Sequence, residues 1–438
     1  MLKRIICPAA MVIIFTALIG CQSGTVDERP SVLLILIDTV RADHLNCYGY
    51  PRETSPVLDS LASEGTRWAD VQGQSSWTLP AMASIFTGTS ERSHRAGFRN
   101  GQAFGISEDL ITLPEILRNE GYVTAAFFNV PVMAPSYGFT SGFDFYDCRG
   151  CSVSQCAREV IDSSIMWLDR CRQPFFIALH LFDPHAPYEP PEPFAGYWSD
   201  PDYTGFNWAG ALAQEMISGF SEGAIDSAGM AQMIALYDGE LAYTDSQIGR
   251  LVQYMNGRGL LHNTLIVIVA DHGEEFGEHG RILHGFQLYE ETTRVPLIVI
   301  GQDIPAGYVD HNVVGHIDIM PSILDYLDVP VPQQAQGRSF FGLEQDAQPE
   351  LLPASGYFSS GDWIVVRYDS LKVFWNTADD LSKMFDIQLD RGELNPLPAD
   401  SLLVDDAMLY WATPALADPD PVPSQGMFVE KLMDLGYI

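Results

Sequence analysis

Basic residues are scarce in this chain. Of its 438 residues, 24 are Lys or Arg and 57 are Asp or Glu, so the formal net charge is −33. A charge of this sign repels nucleic acids and anionic membrane surfaces at long range, so we expect no nucleic-acid partner. If the substrate is an anion, a bound metal ion is needed to reverse the electrostatic field locally.

Apolar runs long enough to span a bilayer are lacking, since about 20 apolar residues are needed. The run after Met1-Leu2-Lys3-Arg4 is shorter and ends at Gly20-Cys21, which is typical of an export signal. Leu18-Ile19-Gly20-Cys21 resembles the lipobox of bacterial lipoproteins, in which the cysteine is lipidated. The sequence therefore predicts a signal peptide over residues 1–20, a tether over 21–30 and a lipoprotein facing the periplasm or the cell exterior. A transmembrane anchor is the alternative; otherwise the protein contacts the membrane only through Cys21.

Cysteines are few, with seven in the chain, and four of them lie between residues 148 and 171. In an oxidising envelope, Cys148, Cys151, Cys156 and Cys171 are expected to form two disulfides, with three pairings possible. The spacing of Cys148 and Cys151 also fits a zinc knuckle, so that alternative stays open. Cys47 is interpreted as a buried apolar residue.

Uninterrupted apolar segments alternate with amphipathic ones. Ser31–Ile37, Phe175–Leu181 and Thr264–Val269 have the apolar character of strands buried on both faces. The alternation runs over some 300 residues without a repeat, which predicts a doubly wound α/β fold with a mixed, mainly parallel sheet over residues 31–345. Short successive strands after Pro330 predict a smaller C-terminal α+β subdomain with an antiparallel sheet over 346–438.

Acidic and imidazole side chains follow two of these strands. Asp38 comes directly after the first, and Asp271-His272 comes after Thr264–Val269. Ligands bind at the carboxyl ends of parallel strands in open α/β sheets. Two carboxylates with one imidazole suit zinc or manganese, and calcium less well. Asp38 alone would be equally compatible with a loop cap, but together these residues predict a divalent-metal site.

Thr78 precedes Leu79-Pro80 and an apolar segment that ends at Gly88, a pattern typical of a helix start. Taken alone, Thr78 reads as an ordinary capping threonine. The functional interpretation is a nucleophile, because free N–H groups and the positive end of the helix dipole favour an alkoxide and hold an anion. A metal bound to the hydroxyl oxygen would lower its pKa further, so Thr78 is also a candidate metal ligand.

Histidines supply the remaining candidate groups. His185 stands between two prolines at a strand exit, and His279 and His284 lie in the glycine-rich loop after His272. His185 and His284 are candidates to protonate a leaving oxygen or to stabilise charge on the transferred group. His180, inside a strand, is expected to be a satisfied core histidine. The predicted chemistry is metal-assisted transfer of a phosphoryl- or sulfuryl-like group to Thr78, followed by hydrolysis or transfer.

Four ordered motifs together resemble the sulfatase family of the alkaline phosphatase superfamily. They are the segment Ile37–Tyr50, the element Thr78-Leu79-Pro80, the segment Asp183–Tyr188 and Asp271-His272-Gly273-Glu274; Met384–Glu393 is similar to the family's C-terminal signature. The resemblance implies an alkaline phosphatase-like sheet and a metal held by Asp38, Asp271 and His272. It also implies Thr78 at the nucleophile position, with His185 and His284 near the transferred group and Asn129 lining the site.

Four positions depart from the family pattern. Sulfatases carry a Cys or Ser that is oxidised to formylglycine, whereas this chain has Thr78, which cannot form that aldehyde. Met82 occupies the position of the arginine that supports formylglycine, and Thr39 occupies that of a second metal aspartate. His284 stands where many sulfatases have a lysine. Thr78 instead resembles the phosphodiesterases, phosphomutases and phosphoethanolamine transferases of the superfamily.

The sequence therefore predicts a metal-dependent hydrolase of sulfate or phosphate esters, acting on an anionic ester such as a sulfated or phosphorylated glycan or lipid. Two alternatives remain. One is a phosphoryl- or phosphoethanolamine-type transferase. The other is a catalytically silent envelope lipoprotein that binds anionic glycans.

Overall fold

The computed structural model describes residues 28–99, 102–148, 156–172, 174–343, 352–358, 361–378, 380–398, 401–412 and 419–422. The predicted signal peptide, Cys21 and most of the tether lie outside these ranges, as do Cys151 and the predicted domain boundary at 345/346. Among the described residues, no helix combines the length and apolar character that a bilayer crossing requires.

Strands and helices alternate through most of the chain. The strands are β1 Ser31–Ile37, β2 Thr66–Trp68, β3 Val71–Gln72, β4 Gly97–Arg99, β5 Gln102–Phe104, β6 Val123–Phe128, β7 Phe145–Cys148, β8 Phe175–Leu181, β9 Thr264–Ala270, β10 Glu275–Phe276, β11 Ile282–Leu283, β12 Leu297–Ile300, β13 Tyr308–Asp310, β14 Val314–Gly315, β15 Leu352–Phe358, β16 Gly361–Tyr368, β17 Leu371–Asn376 and β18 Ser382–Asp386. The helices are α1 Pro56–Glu64, α2 Thr78–Thr87, α3 Glu91–His94, α4 Leu113–Asn119, α5 Cys156–Leu168, α6 Ala213–Ser221, α7 Ser227–Gly257, α8 Glu290–Thr293, α9 Ile319–Tyr326 and α10 Ser401–Ala412.

The central sheet has eight strands in the order β13-β2-β12-β9-β1-β8-β6-β7. β1 lies between β9 and β8 and is parallel to both. Its seven residues are all buried, as expected for a strand covered by helices on both faces. β12 runs antiparallel to β9, so the sheet is mixed and mainly parallel. The predicted fold class is confirmed.

The C-terminal part contains a separate antiparallel sheet in the order β15-β16-β17-β18. It is joined to the rest of the molecule by a buried charge cluster. Lys372 on β17 is fully buried, and its Nζ lies 3.0 Å from Glu290 Oε1 and 3.1 Å from Glu393 Oε1. Because Glu290 belongs to α8, this ion cluster attaches the antiparallel sheet to the loop that leads away from His284.

The prediction of two disulfides is wrong. Cys171 is a free thiol, and the Cys148 thiol donates to the Val130 carbonyl at 3.7 Å. Cys148 ends β7, whereas Cys171 lies just before β8 begins. Since β7 and β8 run in the same direction through β6, these two cysteines lie at opposite ends of the sheet and cannot meet. The alternative zinc knuckle requires Cys151, outside the described residues.

Candidate active site

Two neighbouring strands deliver the predicted metal ligands to one place. Ile37, the last residue of β1, is paired in register with Ala270, the last residue of β9. Asp38 and Asp271 follow directly, so both carboxylates lie at the carboxyl edge of the sheet. Asp38, Asp271 and His272 are all fully buried.

These three side chains converge on one point. One ligand atom from each of Asp38, Asp271 and His272 lies within 4.8 Å of the others. His272 Nε2 is 3.4 Å from Asp38 Oδ1 and 3.7 Å from Asp271 Oδ2. Atoms bound to a common zinc ion at about 2.0–2.2 Å have mutual spacings of this size.

The surrounding backbone orients the ligands. Asp271 Oδ1 accepts hydrogen bonds from the backbone N–H groups of Thr39 and His272, at 3.2 and 2.8 Å, which leaves Oδ2 directed toward the cluster. His272 Nδ1 lies 2.9 Å from the Gly273 carbonyl oxygen. A carbonyl accepts only, so Nδ1 carries the proton and Nε2 offers its lone pair, the arrangement common for metal-bound histidine.

Thr78 meets this cluster from a distant part of the chain. It is the first residue of α2, and Trp77 before it, at the N-cap, makes no side-chain capping hydrogen bond. Its Oγ1 lies 3.3 Å from His272 Nε2, and the residue is fully buried. The Gly285 N–H donates to the Ser76 carbonyl at 2.9 Å and connects the Thr78 segment to the His284 loop.

His185 and His284 lie beside the same cluster. The ring centroid of His284 is 4.4 Å from that of His272 and 4.8 Å from that of His185. His185 Nδ1 lies 2.6 Å from the Ala186 carbonyl. Burial, together with the neighbouring His284, lowers the pKa of His185 well below its usual value. His185 is therefore neutral, with its proton on Nδ1.

Glu274 is a site residue to which the sequence assigned no role. Its Oε1 lies 2.9 Å from His284 Nδ1, and its Oε2 accepts a hydrogen bond from the Tyr188 hydroxyl at 2.8 Å. Glu274 is fully buried. Its position three residues after Asp271, in the same loop, could have indicated a role in the site. Only the fold shows that its carboxylate faces His284.

His180 differs from its expected role. Neither of its ring nitrogens makes a hydrogen bond within the described residues, so it is not a satisfied core histidine. Its Nε2 lies 3.6 Å from Asp38 Oδ2 and 3.7 Å from Asp271 Oδ2. His180 on β8 pairs with Leu36 on β1, two residues before Asp38. This register places the imidazole against both carboxylates. The sequence offered no sign of this, since a lone histidine inside an apolar strand is usually structural.

Two other polar residues lie elsewhere. His279 stacks on Tyr289 with ring centroids 3.6 Å apart, and its Nδ1 is 3.1 Å from Glu291 Oε1, so it is not part of the metal cluster. Asn129 is buried after β6 and lines a small cavity with Asp147 and Glu159. No contact joins Asn129 to the cluster within the described residues.

The donor set fits a divalent metal ion. Two carboxylates and an imidazole of fixed tautomer are buried together, and the Nε2 atoms of His180 and His272 lie 3.4–3.7 Å from the carboxylate oxygens. Burying two carboxylates side by side is costly unless a positive charge compensates them. These residues therefore have the chemistry and geometry of a metal centre.

Comparisons with known proteins identify the family. A family model described as Sulfatase matches residues 30–329, and one described as N-sulphoglucosamine sulphohydrolase, C-terminal matches residues 277–403. An arylsulfatase of Clostridium perfringens is 25% identical over 439 aligned residues, which cover 84% of this chain and 90% of that protein.

Solved structures show the same fold. A protein in complex with its substrate D-glucosamine-2-N,6-O-disulfate has a TM-score of 0.69 and 22% identity, covering 87% of this chain and 96% of its own. The phosphonate monoester hydrolase of Agrobacterium radiobacter has a TM-score of 0.70 and 19% identity, covering 87% and 94%. With more than half of its length matched by the Sulfatase model, the chain belongs to the sulfatase family and is an ester hydrolase of that family.

Proposed function

We propose that this protein is a metal-dependent hydrolase of sulfate or phosphate esters in which Thr78 is the nucleophile. The observation that carries the proposal is the 3.3 Å separation between Thr78 Oγ1 and His272 Nε2, beside the two buried carboxylates. A hydroxyl this close to the proposed metal ligands and at a helix start is placed for activation by a bound metal ion and by the helix dipole.

Asp38, Asp271 and His272 are the proposed ligands of a divalent ion, with Thr78 as a further one. Zinc and manganese suit this mixture of nitrogen and oxygen donors, and calcium is the remaining candidate. When bound, the ion lowers the pKa of a coordinated hydroxyl group and offsets negative charge on the ester.

The reaction proceeds in two displacements. The Thr78 oxygen forms a bond to the phosphorus or sulfur atom, and the bond from that atom to the leaving oxygen breaks. The leaving oxygen takes a proton, and water then displaces the group from Thr78 and restores the hydroxyl. The first backbone N–H groups of α2 have no acceptor within the helix, so they are available to the transferred oxygens.

His284 is assigned as the proton donor to the leaving group. Its Nδ1 donates to Glu274 Oε1, and this carboxylate offsets the positive charge that the ring carries during proton transfer through Nε2. His185 is neutral with its proton directed to Ala186, so its Nε2 is suited to accept a proton from the attacking water. The two histidines thus have opposite roles. His284, next to a carboxylate, donates a proton, and His185, next to a backbone carbonyl, accepts one.

The proposed substrate is an anionic ester, with a sulfated or phosphorylated glycan as the leading class. A structural neighbour holds a disulfated glucosamine as its substrate, and another neighbour is a phosphonate monoester hydrolase. Both are consistent with a site that neutralises a tetrahedral oxyanion. The threonine at position 78 favours phosphate esters, because related phosphoryl-transfer enzymes use this residue.

The protein is also proposed to be exported and anchored by a lipid on Cys21. The support is the leader pattern that ends at Leu18-Ile19-Gly20-Cys21. Mass spectrometry of the N-terminal peptide tests this directly: a diacylglycerol adduct on Cys21 is expected, and an unmodified Cys21 after export would overturn it.

Turnover of a panel of phosphate monoesters, diesters and aryl sulfates by wild type and Thr78→Ala tests the proposed chemistry. We expect Thr78→Ala to lose activity on the order of 10³-fold or more while retaining bound metal and its fold, with Thr78→Ser retaining part of the activity. Activity that survives Thr78→Ala would remove Thr78 from the mechanism. A stable adduct on Thr78 that turns over only with a second acceptor would identify a transferase instead.

A further inference from the structure

The face opposite the active site is formed by the amino ends of the parallel strands. β1, β6, β7, β8 and β9 all point the same way, and the metal cluster follows their carboxyl ends. The loops that lead into these strands therefore cover the far side of the sheet, which we call the amino face.

The N-terminal segment of the chain reaches the molecule at this amino face. Arg29 Nη1 donates to the Glu120 carbonyl at 2.6 Å, and its guanidinium lies 5.1 Å from the Tyr122 ring centroid. Asn263 Nδ2 donates to the Glu28 carbonyl at 3.2 Å. The segment before Glu28 thus starts next to the residues that lead into β6 and β9.

A groove of about 470 Å³ begins at the amino face next to this point and extends along β6 and β7 as far as Phe127. It is lined by Val123, Phe145, Met166, Trp167, Arg170 and Arg172, among others, including Asp147. Met166 is 63% exposed, Phe145 42% and Val123 37%. Three large apolar side chains exposed together are unusual on a surface that contacts only water.

Two arginines, Arg170 and Arg172, and one acidic residue, Asp147, line the groove. Arg170 and Arg172 are exposed and make no side-chain hydrogen bond or ion pair with any described residue. The nearby acidic residues Asp144 and Asp169 are already paired: Arg118 lies 2.9 Å from Asp144, and Arg258 lies 3.6 Å from Asp169. In a chain of net charge −33, this arrangement leaves two unpaired guanidinium groups beside exposed apolar side chains.

We propose that the amino face lies against an anionic lipid bilayer, with Met166, Phe145 and Val123 in the interfacial layer and Arg170 and Arg172 contacting lipid phosphates. The inference rests on the proposed lipid anchor at Cys21. Exposed apolar residues beside basic ones bind interfaces through apolar burial and attraction to anionic lipids. The lipid anchor keeps the protein at a high local concentration next to the membrane. The amino face therefore needs only weak affinity for the bilayer to overcome the repulsion between the acidic protein and the anionic lipids.

The tether length agrees with this orientation. The seven residues from Cys21 to Glu28 extend at most about 25 Å, whereas a globular chain of this length is roughly 55 Å wide. The amino face is therefore held at the membrane while the Thr78 cluster points away from it. The substrate that fits this orientation is an ester presented from the surrounding space, such as a glycan, and not a lipid of the same membrane.

Hydroxyl-radical footprinting read by mass spectrometry tests the docked face. The chain beginning at residue 21 carries a diacylglycerol at its N-terminus, attached enzymatically if cells do not supply it, so the test does not depend on acylation in vivo. Oxidation of Met166 is measured for the lipidated chain on vesicles of phosphatidylcholine that contain one quarter phosphatidylglycerol. It is compared with the oxidation of Met166 in the same chain without the lipid anchor and without vesicles. Tyr197 and Leu212, which are 51% and 40% exposed and follow the carboxyl end of β8, are the reference sites.

We expect Met166 oxidation to fall at least about threefold on the vesicles, with Tyr197 and Leu212 unchanged. The paired variant Arg170→Glu/Arg172→Glu should restore oxidation, and turnover of a soluble ester should be equal in both proteins, which confirms that the variant is folded. Unchanged Met166, or equal protection of the reference sites, overturns the proposal. If Met166 is protected at high protein concentration without vesicles, the surface is a protein interface and the proposal is overturned. If Met166 is protected equally on pure phosphatidylcholine and on the anionic vesicles, the role of the arginines is overturned.

Discussion

His284 Nδ1 lies 2.9 Å from Glu274 Oε1, and both side chains are buried beside the metal cluster. A carboxylate accepts only, so this contact places the Nδ1 proton between the two groups and directs Nε2 toward the space next to Thr78. The second oxygen of Glu274 accepts from Tyr188, which fixes the carboxylate in turn.

Replacing Glu274 with Gln should lower kcat by about 10² to 10⁴-fold while the protein stays folded, because an amide neither fixes this tautomer nor stabilises an imidazolium ion. Steady-state kinetics on a soluble phosphate or sulfate ester is the measurement. Tyr188→Phe is the matched control, since it removes the other hydrogen bond of Glu274 and leaves the His284 contact. An equal loss in both variants would argue for a general structural effect.

Removing the metal should abolish turnover and lower the unfolding temperature. Without the ion, the carboxylates of Asp38 and Asp271 are buried side by side next to His180 and His272, and their like charges repel each other. Differential scanning calorimetry before and after chelation, with elemental analysis of the bound metal, measures both effects. Asp38→Asn should bind less metal and show a smaller response to the chelator. Full activity in chelated, metal-free protein would contradict the proposed centre.

Acid should destabilise the protein partly through His94. This residue is fully buried and accepts from the Ala96 N–H at Nδ1, at 3.1 Å. Burial, with Arg99 and Arg95 nearby, lowers its pKa to about 3. The folded state then holds fewer protons than the unfolded state below the usual pKa near 6.5, so stability is lost as pH falls from about 6.5 toward 3.

Thermal unfolding at several pH values tests this expectation. His94→Gln, which cannot take up a proton, should be less stable at pH 8 but should lose less stability between pH 7 and pH 5 than the wild type. Parallel curves for the two proteins would show that His94 does not contribute to the acid response.

Lys372 should stabilise the attachment of the antiparallel sheet. Lys372→Met removes the ion pair of the buried Glu393 carboxylate, whereas Glu290 keeps Arg367 at 3.6 Å, and we expect a cost of about 3–5 kcal/mol. Urea unfolding measures the change. Burial raises the pKa of Glu393 to about 7, so the double variant Lys372→Met/Glu393→Gln should recover part of the loss. A change below about 1 kcal/mol in the single variant would contradict this role.

Much of the fold could be predicted from local patterns. The strands Ser31–Ile37 and Phe175–Leu181 occupy the predicted residues, because a seven-residue apolar run bounded by polar residues is stable only inside a covered sheet. The long helix α7 extends over Ser227–Gly257. Its ends were less visible because polar residues at helix termini resemble those of loops. The error at the cysteines arose because spacing along the chain does not show at which end of the sheet a residue lies.

The sequence by itself determined the strands of the core and the order in which Asp38, Thr78, His185, Asp271 and His272 leave them, because apolar periodicity and strand ends are local properties. Only the tertiary structure decided which groups act on one another. It placed His180 against two carboxylates and Glu274 against His284, and it separated His279 from the cluster. The physical reason is that charge interactions and hydrogen bonds act over a few ångströms in space, and strand pairing sets those distances between residues remote in sequence.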